Sequence, residues 1–436
     1  MIKQLFKITL LLVCGAASFM PVCAQQSVDS LSFQQVIAQV IQTHPSVKEA
    51  QEALNGAAAK IELARSAYLP TVDFNASYTR LGPVSKVDFP GLGTFQLNPY
   101  DNYKAGVDIN QTIYDFKKTA KAVEVENKRK ELTAISIDKV KQSLSMTVVN
   151  NYYALVYLQS AIDIKNEELR NLQSHLGSIE KKNSTGSATK YEILSTKVKI
   201  STIESQKYDL EAAISNQLSI LNTLLGQPED TPHRVINTLN MESIETQNSN
   251  VAYAIEHREE IKLAKEQTEL ESLNYSAIKT ANNPSINAFA SAGFKNGYSP
   301  EQNSLKGNFL VGVGVKVPLY DAKKNKNNLL ISKSSVVSSQ LETEIVRRNI
   351  VNEVVEAQSG IESSKKKVAQ FEMQLTHALQ AYELAKTSYK SGVITNLDLL
   401  DSETAVSESR LQLLKSQLDQ QVSILKLKIA IGNHIY

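Results

Sequence analysis

The sequence predicts an α+β membrane protein: mostly long α-helical coiled coil arranged as a helical barrel, plus four transmembrane β-strands per chain that close a twelve-strand barrel as a homotrimer. Three observations predict it. Leu155, Ile162, Leu169 and Leu176 recur every seven residues, with Leu158, Leu172 and Ile179 at the companion position and Lys165 the one polar interruption. Such a heptad, sustained within a Pro-free helical pattern of about 65 residues, is the mark of coiled-coil packing rather than of an ordinary core helix. The second observation is a duplication. An offset of 206 carries Gly106 to Gly312, Tyr114-Asp115 to Tyr320-Asp321, Val148-Val149 to Val354-Val355, Gly186 to Gly392 and Gly226 to Gly432. One constant offset over such a distance means a repeated unit. The third is a set of four segments of about ten residues with strict alternation, the length of a tilted strand crossing a bilayer.

The chain starts with residues 1–24, which read as a secretory signal peptide: a basic start at Lys3 and Lys7, an apolar run, and a small residue, Ala24, before the cut. Cys14 and Cys23 both follow Val, which disfavours a lipoprotein signal. The leader holds both cysteines and the two lysines that make up the formal +2 charge. The mature chain is therefore neutral and free of disulfides. Neutrality removes the electrostatic case for nucleic acid, and stability has to come from packing.

The first repeat covers residues 25–226. A helix starts near Ser32, with Gln35 as capping-box partner, breaks at His44-Pro45, and resumes until Pro70. Strands follow at about 71–80 and 103–114. The Gly-, Pro- and aromatic-rich segment between them is too long for a tight turn. Asp115 caps a long helix, with Lys117 and Lys118 just inside it. A hairpin tip at 183–190 leads into a helix of about 35 residues that Gly226 and Pro228 stop. Residues 227–250 read as a linker or small packed appendage. The second repeat, 251–436, has strands at about 285–297 and 306–319 and a tip at 390–396. Phe289 falls out of the strand alternation, and Gly312-x-Gly314 reads as a site of close packing. Its long helix carries Ile361, Val368, Leu375 and Tyr382 on the seam, with Phe371, Ala378 and Ala385 beside them.

Four strands alone make a small sheet with open edges, so oligomerisation is implied. A helix of 65 residues spans roughly 100 Å. Two shorter helices stacked end to end match one long helix in length, so two repeats make a tall helical wall and several chains a tube.

Over its mature length the chain resembles the TolC family of outer-membrane efflux ducts. The motifs that carry this, in order, are Leu31-Ser32-Phe33…Val36-Ile37…His44-Pro45, Tyr68-Leu69-Pro70, Leu221-Asn222-Thr223-Leu224-Leu225-Gly226-Gln227-Pro228, Val317-Pro318-Leu319-Tyr320-Asp321, and Tyr389-Lys390-Ser391-Gly392 followed by Leu397-Asp398-Leu399-Leu400-Asp401. The resemblance implies a trimeric channel in the outer-membrane lipid with a periplasmic tunnel. Its partners would be a periplasmic adaptor (membrane fusion protein) and an inner-membrane transporter. It implies export of small molecules or proteins without chemistry or cofactor.

It also implies site residues. Thr185, Gly186, Ser187 and Ala188, with Ser391, Gly392, Val393 and Ile394, match the adaptor-facing turns. Asp398 and Asp401, three apart and so on one helix face, match acidic rings near the closed end of the tunnel, where charge selects cations. Tyr389 and Glu192 match a tyrosine and an acid that tie that end shut. The arginine partner of some members falls at Ile394, so that link is absent. Lys117-Lys118 and Lys323-Lys324-Lys326 admit two readings, solvated first-turn lysines or anchors to lipid headgroups.

An enzyme is disfavoured: the six histidines are scattered, and no metalloprotease helix motif, phosphate loop or nucleophile elbow occurs. A periplasmic adaptor would have one hairpin, not two matched units. A purely structural coiled coil leaves the strands unexplained. With no Met or His cluster, the cargo is not legible.

Overall fold

In a computed structural model, residues 29–91, 93–237 and 250–436 are described. The expected leader and the middle of the 227–250 segment lie outside them. Strand β1 (Asp29–Leu31) leads through the Ser32–Gln35 capping box into α1 (Phe33–Thr43). His44 takes extended dihedrals before α2 (Pro45–Arg65), as a residue preceding proline must. Strand β2 (Thr71–Arg80) follows. The Gly-, Pro- and aromatic-rich segment that is too long for a tight turn holds a short hairpin, β3 (Lys86–Phe89) with β4 (Gly93–Gln96). Its ends pair, so the backbone groups satisfy each other where alternation is too brief to read. Then come β5 (Asp101–Tyr114), α3 (Lys118–Ser184), α4 (Lys190–Leu225), β6 (His233–Val235), α5 (Asn250–His257) and α6 (Glu259–Thr280). Strands β7 (Ser285–Lys295) and β8 (Lys306–Lys316), then α7 (Lys324–Lys390) and α8 (Asn396–Ala430), complete the chain.

The 206-residue offset extends to local geometry. Both long helices, α3 and α7, have 67 residues. Among the described residues Phe116-Lys117 and Ala322-Lys323 are the non-glycine pairs with positive φ. After each pair, an aspartate four residues back accepts the helix N–H: Thr119 N donates to Asp115 Oδ2 at 2.7 Å and Asn325 N to Asp321 Oδ2 at 2.9 Å. Lys117 is thus the left-handed N-cap, not the first helical residue, and the aspartate caps across it. The cores repeat likewise. Val148, Leu155 and Leu221 are fully buried in one, and Val354, Ile361 and Leu427 in the other.

Residues 29–31 and 233–235 do more than connect. β1 and β6 pair in parallel, and the Tyr152 hydroxyl lies 2.9 Å from O of Leu31, the last residue of β1, and 2.8 Å from O of Ile236, just beyond β6.

The other four long strands form one antiparallel sheet in the order β2-β5-β7-β8, so the two repeats join at β5–β7 and β2 and β8 are open edges. Register aligns Val72, Ile109, Ala290 and Val311 across the sheet, and beside them Phe74, Val107, Ala292 and Phe309. Because side chains alternate faces, these rows form one apolar face. It is bare: Phe309 is 83% exposed and Val311 74%. Phe289 belongs to the opposite face, in register with Gly312, and its ring lies where a Gly312 side chain would stand. The aromatic out of pattern and the glycine are one packing unit.

Candidate functional site

Each tip is built the same way. Ser187 N donates to Lys182 O at 2.8 Å and Gly186 N to Asn183 O at 2.9 Å; Val393 N donates to Ser388 O at 2.9 Å and Gly392 N to Tyr389 O at 3.1 Å. This is the Schellman ending of a helix, which needs a left-handed residue after the cap. Gly186 and Gly392 supply it, with φ of +76° and +74°. Thr185 and Ser391 are the C-caps. Ala188 O accepts from Asn183 Nδ2 at 2.7 Å. Val393 is well exposed and Ile394 half-buried.

The next helix starts on a threonine in both copies. Thr189 Oγ1 accepts from Glu192 N at 3.3 Å, and Thr395 Oγ1 from Asp398 N at 3.2 Å. Glu192 and Asp398 are therefore equivalent positions of the repeat, and their carboxylates have diverged. Asp398 Oδ2 turns back, accepting from Thr395 N at 2.8 Å and Thr395 Oγ1 at 2.7 Å to close a capping box. The Thr395 hydroxyl and amide hold its carboxyl below the usual range. Glu192 instead reaches the other hairpin, where the Tyr389 hydroxyl donates to Glu192 Oε2 at 3.3 Å. Burial, and then the Glu192 charge, push the Tyr389 phenol up, so it stays a donor. Asp401 is exposed one turn beyond Asp398.

Around the Tyr389–Glu192 contact is a polar node that sequence reasoning missed. Asn396, 3% exposed, points Nδ2 at Thr196 Oγ1 (3.1 Å), Ser195 Oγ (3.3 Å) and Glu192 O (3.4 Å). Its Oδ1 is 2.7 Å from His175 Nε2. The His175 ring meets Tyr389 edge-on at 5.5 Å, and Lys182 Nζ stands 4.8 Å above the Tyr389 ring. Four helices of two hairpins converge here. Nothing local in the sequence pairs residue 175 with 396. The pairing arises because α3 and α8 run antiparallel in fixed register: Gln142 Nε2 donates to Ile429 O at 3.2 Å, and 33 residues along α3 matches 33 back along α8 at His175–Asn396.

The structure thus brings Tyr389 and Glu192 together and places Asp398 and Asp401 on the exposed start of α8. Among the described residues no cluster of His, Cys, Asp or Glu is arranged to hold a metal ion, and no helix is long and apolar enough to cross a membrane.

A family model described as "Outer membrane efflux protein" matches residues 36–227 and 251–433. This chain belongs to that family. It is an outer-membrane protein of the efflux class, in a family of channels rather than enzymes. It is 23% identical over 300 residues to the cation efflux system protein CusC of Escherichia coli O6:H1, a match spanning 66% of this chain and 63% of that protein. It is 19% identical over 417 residues to the outer membrane protein TolC of Salmonella enteritidis, covering 91% of this chain and 81% of the relative. Among solved structures, a crystal structure of CusC superposes with a TM-score of 0.78 at 20% identity, covering 93% of each chain. The fold is that of the TolC-like channels, α+β with a long helical part.

Proposed function

We propose that this chain is the outer-membrane duct of a tripartite efflux or type I secretion system, a passive conduit for small molecules or proteins. One observation carries the reading: an apolar face runs unbroken across four strands, is bare to the outside, and ends in two open edges. A barrel is the one sheet that satisfies every backbone group within lipid. Four strands are too few to enclose a channel. Three copies, joined β8 to β2, give twelve strands and remove both edges. The helices, each long one about 100 Å, then form the periplasmic tunnel.

The turns at 183–190 and 390–396 face the far end, where Thr185–Ala188 and Ser391–Ile394 meet a periplasmic adaptor joined to an inner-membrane transporter. Asp398 and Asp401, exposed on α8, form acidic rings in the trimer, and the Tyr389–Glu192 contact holds that end closed. Transport along such a duct needs no cofactor. In planar bilayers the purified protein should conduct, and Asp398→Asn with Asp401→Asn should lower its preference for cations. Unaltered selectivity would refute the acidic rings; absence of any conductance would refute the duct.

A further inference from the structure

The single polar interruption of the first heptad seam, Lys165, leads to a second buried cluster, centred about two turns along α8 from Asn396. Lys165 Nζ donates to Glu168 Oε2 at 2.9 Å, and Ser407 Oγ of α8 donates to the same oxygen at 2.6 Å. Glu168 is 4% exposed. Beside it, α8 presents Glu403, 8% exposed, into a cleft of about 190 Å³ between α3, α7 and α8. Neither Glu168 Oε1 nor Glu403 Oε1 has a hydrogen-bond partner. The lysine serves only the other oxygen of Glu168. Of these two buried carboxylates Glu168 therefore has a directly bonded cation and Glu403 has none, and burying an unpaired charge is costly unless the group neutralises.

We propose that Glu403 is a proton-binding site at the joint between the two hairpins, and that its proton sets how tightly α8 docks on α3. A protonated Glu403 carries an O–H donor into a cleft that already holds an unpartnered acceptor, Glu168 Oε1. An ionised Glu403 places a second buried negative charge beside Glu168. The groups around it come from every element packed there. On α3 these are Glu167, Glu168 and Asn171, with Lys199 on α4. Tyr382, Glu383 and Lys386 lie on α7, and Arg410 on α8 itself. Arg410 is taken up by Glu167 at 2.8 Å. Burial, and then the Glu168 charge, push the Glu403 carboxyl up to about 7, against the opposing pull of Asn171, Lys199 and Lys386.

The folded value lies above the ordinary 4.5, so the proton favours the docked form. That stabilisation is complete below about 4.5 and is lost as pH rises through about 7. Above that point the second hairpin is held less firmly. The docking claim does not depend on the duct reading; only its consequence for the opening of the tunnel does.

The test uses the full chain in detergent. The carboxylic-acid carbonyl band, taken as the infrared difference between the wild type and Glu403→Gln, should disappear with a midpoint near 7. Hydrogen exchange over residues 161–175 and 396–410, corrected for intrinsic rate, should show protection falling by up to about tenfold for each pH unit between about 4.5 and that midpoint, and levelling off above it. Glu403→Gln, a neutral isostere of the protonated acid, should keep high protection throughout. Glu168→Gln should move the Glu403 midpoint down toward the ordinary range and reports independently of the first variant's folding. A Glu403 midpoint near 4.5, or a Glu403→Gln protein that loosens with pH as the wild type does, would overturn the proposal. A protein that shows this titration but never conducts would count against the duct and leave the proton site standing.

Discussion

Replacing Asn396 with alanine will part the two hairpins at their tips without unfolding the chain. The Asn396 amide has two N–H groups facing three acceptors at 3.1–3.4 Å, so about two bonds are made at once, and its Oδ1 meets His175 at 2.7 Å. At about 1 kcal/mol net for each of three bonds, with the longer ones discounted, the loss is about 2–3 kcal/mol. It does not grow further, because the partners keep other contacts. Thr196 Oγ1 still donates to Glu192 O at 2.8 Å, Ser195 Oγ still donates to it at 3.0 Å, and half-buried His175 can turn to water. Such a loss is roughly 30–150-fold in the equilibrium between docked and undocked tips. Hydrogen exchange read by mass spectrometry should show it as faster opening of amides 183–198 and 389–400. Amides around Val148 and Leu155, deep in the other core, should not change. A change under about threefold at the tips, or an equal change in both regions, would refute the assignment of Asn396 as the clasp.

Two further outcomes follow from local geometry. A side chain at Gly293 would stand 2.3 Å from Ala105 O, whereas one at Gly307 meets only the Phe294 ring edge at 3.8 Å. Gly293→Ala should therefore force β5 from β7, at a cost of about 1–3 kcal/mol or more, and abolish the folded sheet in heat-shift electrophoresis, while Gly307→Ala is tolerated. The Asp398 carboxyl is held low by Thr395, so its stabilisation of the second tip is present above the ordinary 3.8 and lost as pH falls through the depressed folded value. Asp398→Asn should loosen the tip at neutral pH and equal the wild type in strong acid, as read by tip exchange after acid incubation; a constant difference at all pH values would contradict the cap.

The long-range plan was legible because it rests on signals that repeat: a heptad over dozens of residues, period-2 alternation, and one offset that ties Gly186 to Gly392. The tips were legible because a Schellman ending all but demands glycine. The chemistry between hairpins was not. His175 and Asn396 lie 221 positions apart, and only the antiparallel register of α3 and α8 makes them neighbours. Lys165 looked like a blemish in the seam, and its reason, Glu168 with Ser407 across the joint, is a tertiary fact. Asp398 and Asp401 read as a pair from spacing. In the fold Asp398 is partly occupied by its own cap, a local competitor that the Thr395-x-x-Asp398 spacing shows once the helix start is known. The parallel pairing of β1 with β6 was hidden because three-residue strands carry too little alternation to be seen.

In the proposed duct, the bare apolar face and the open edges of β2 and β8 are completed by two further copies in a membrane. The most direct measurement is the mass of the protein extracted in detergent from the outer-membrane fraction. A trimeric barrel should give a stable species of three chains that requires detergent to stay soluble. A monomer that is soluble without detergent would mean that the four strands form an ordinary sheet, and would contradict it.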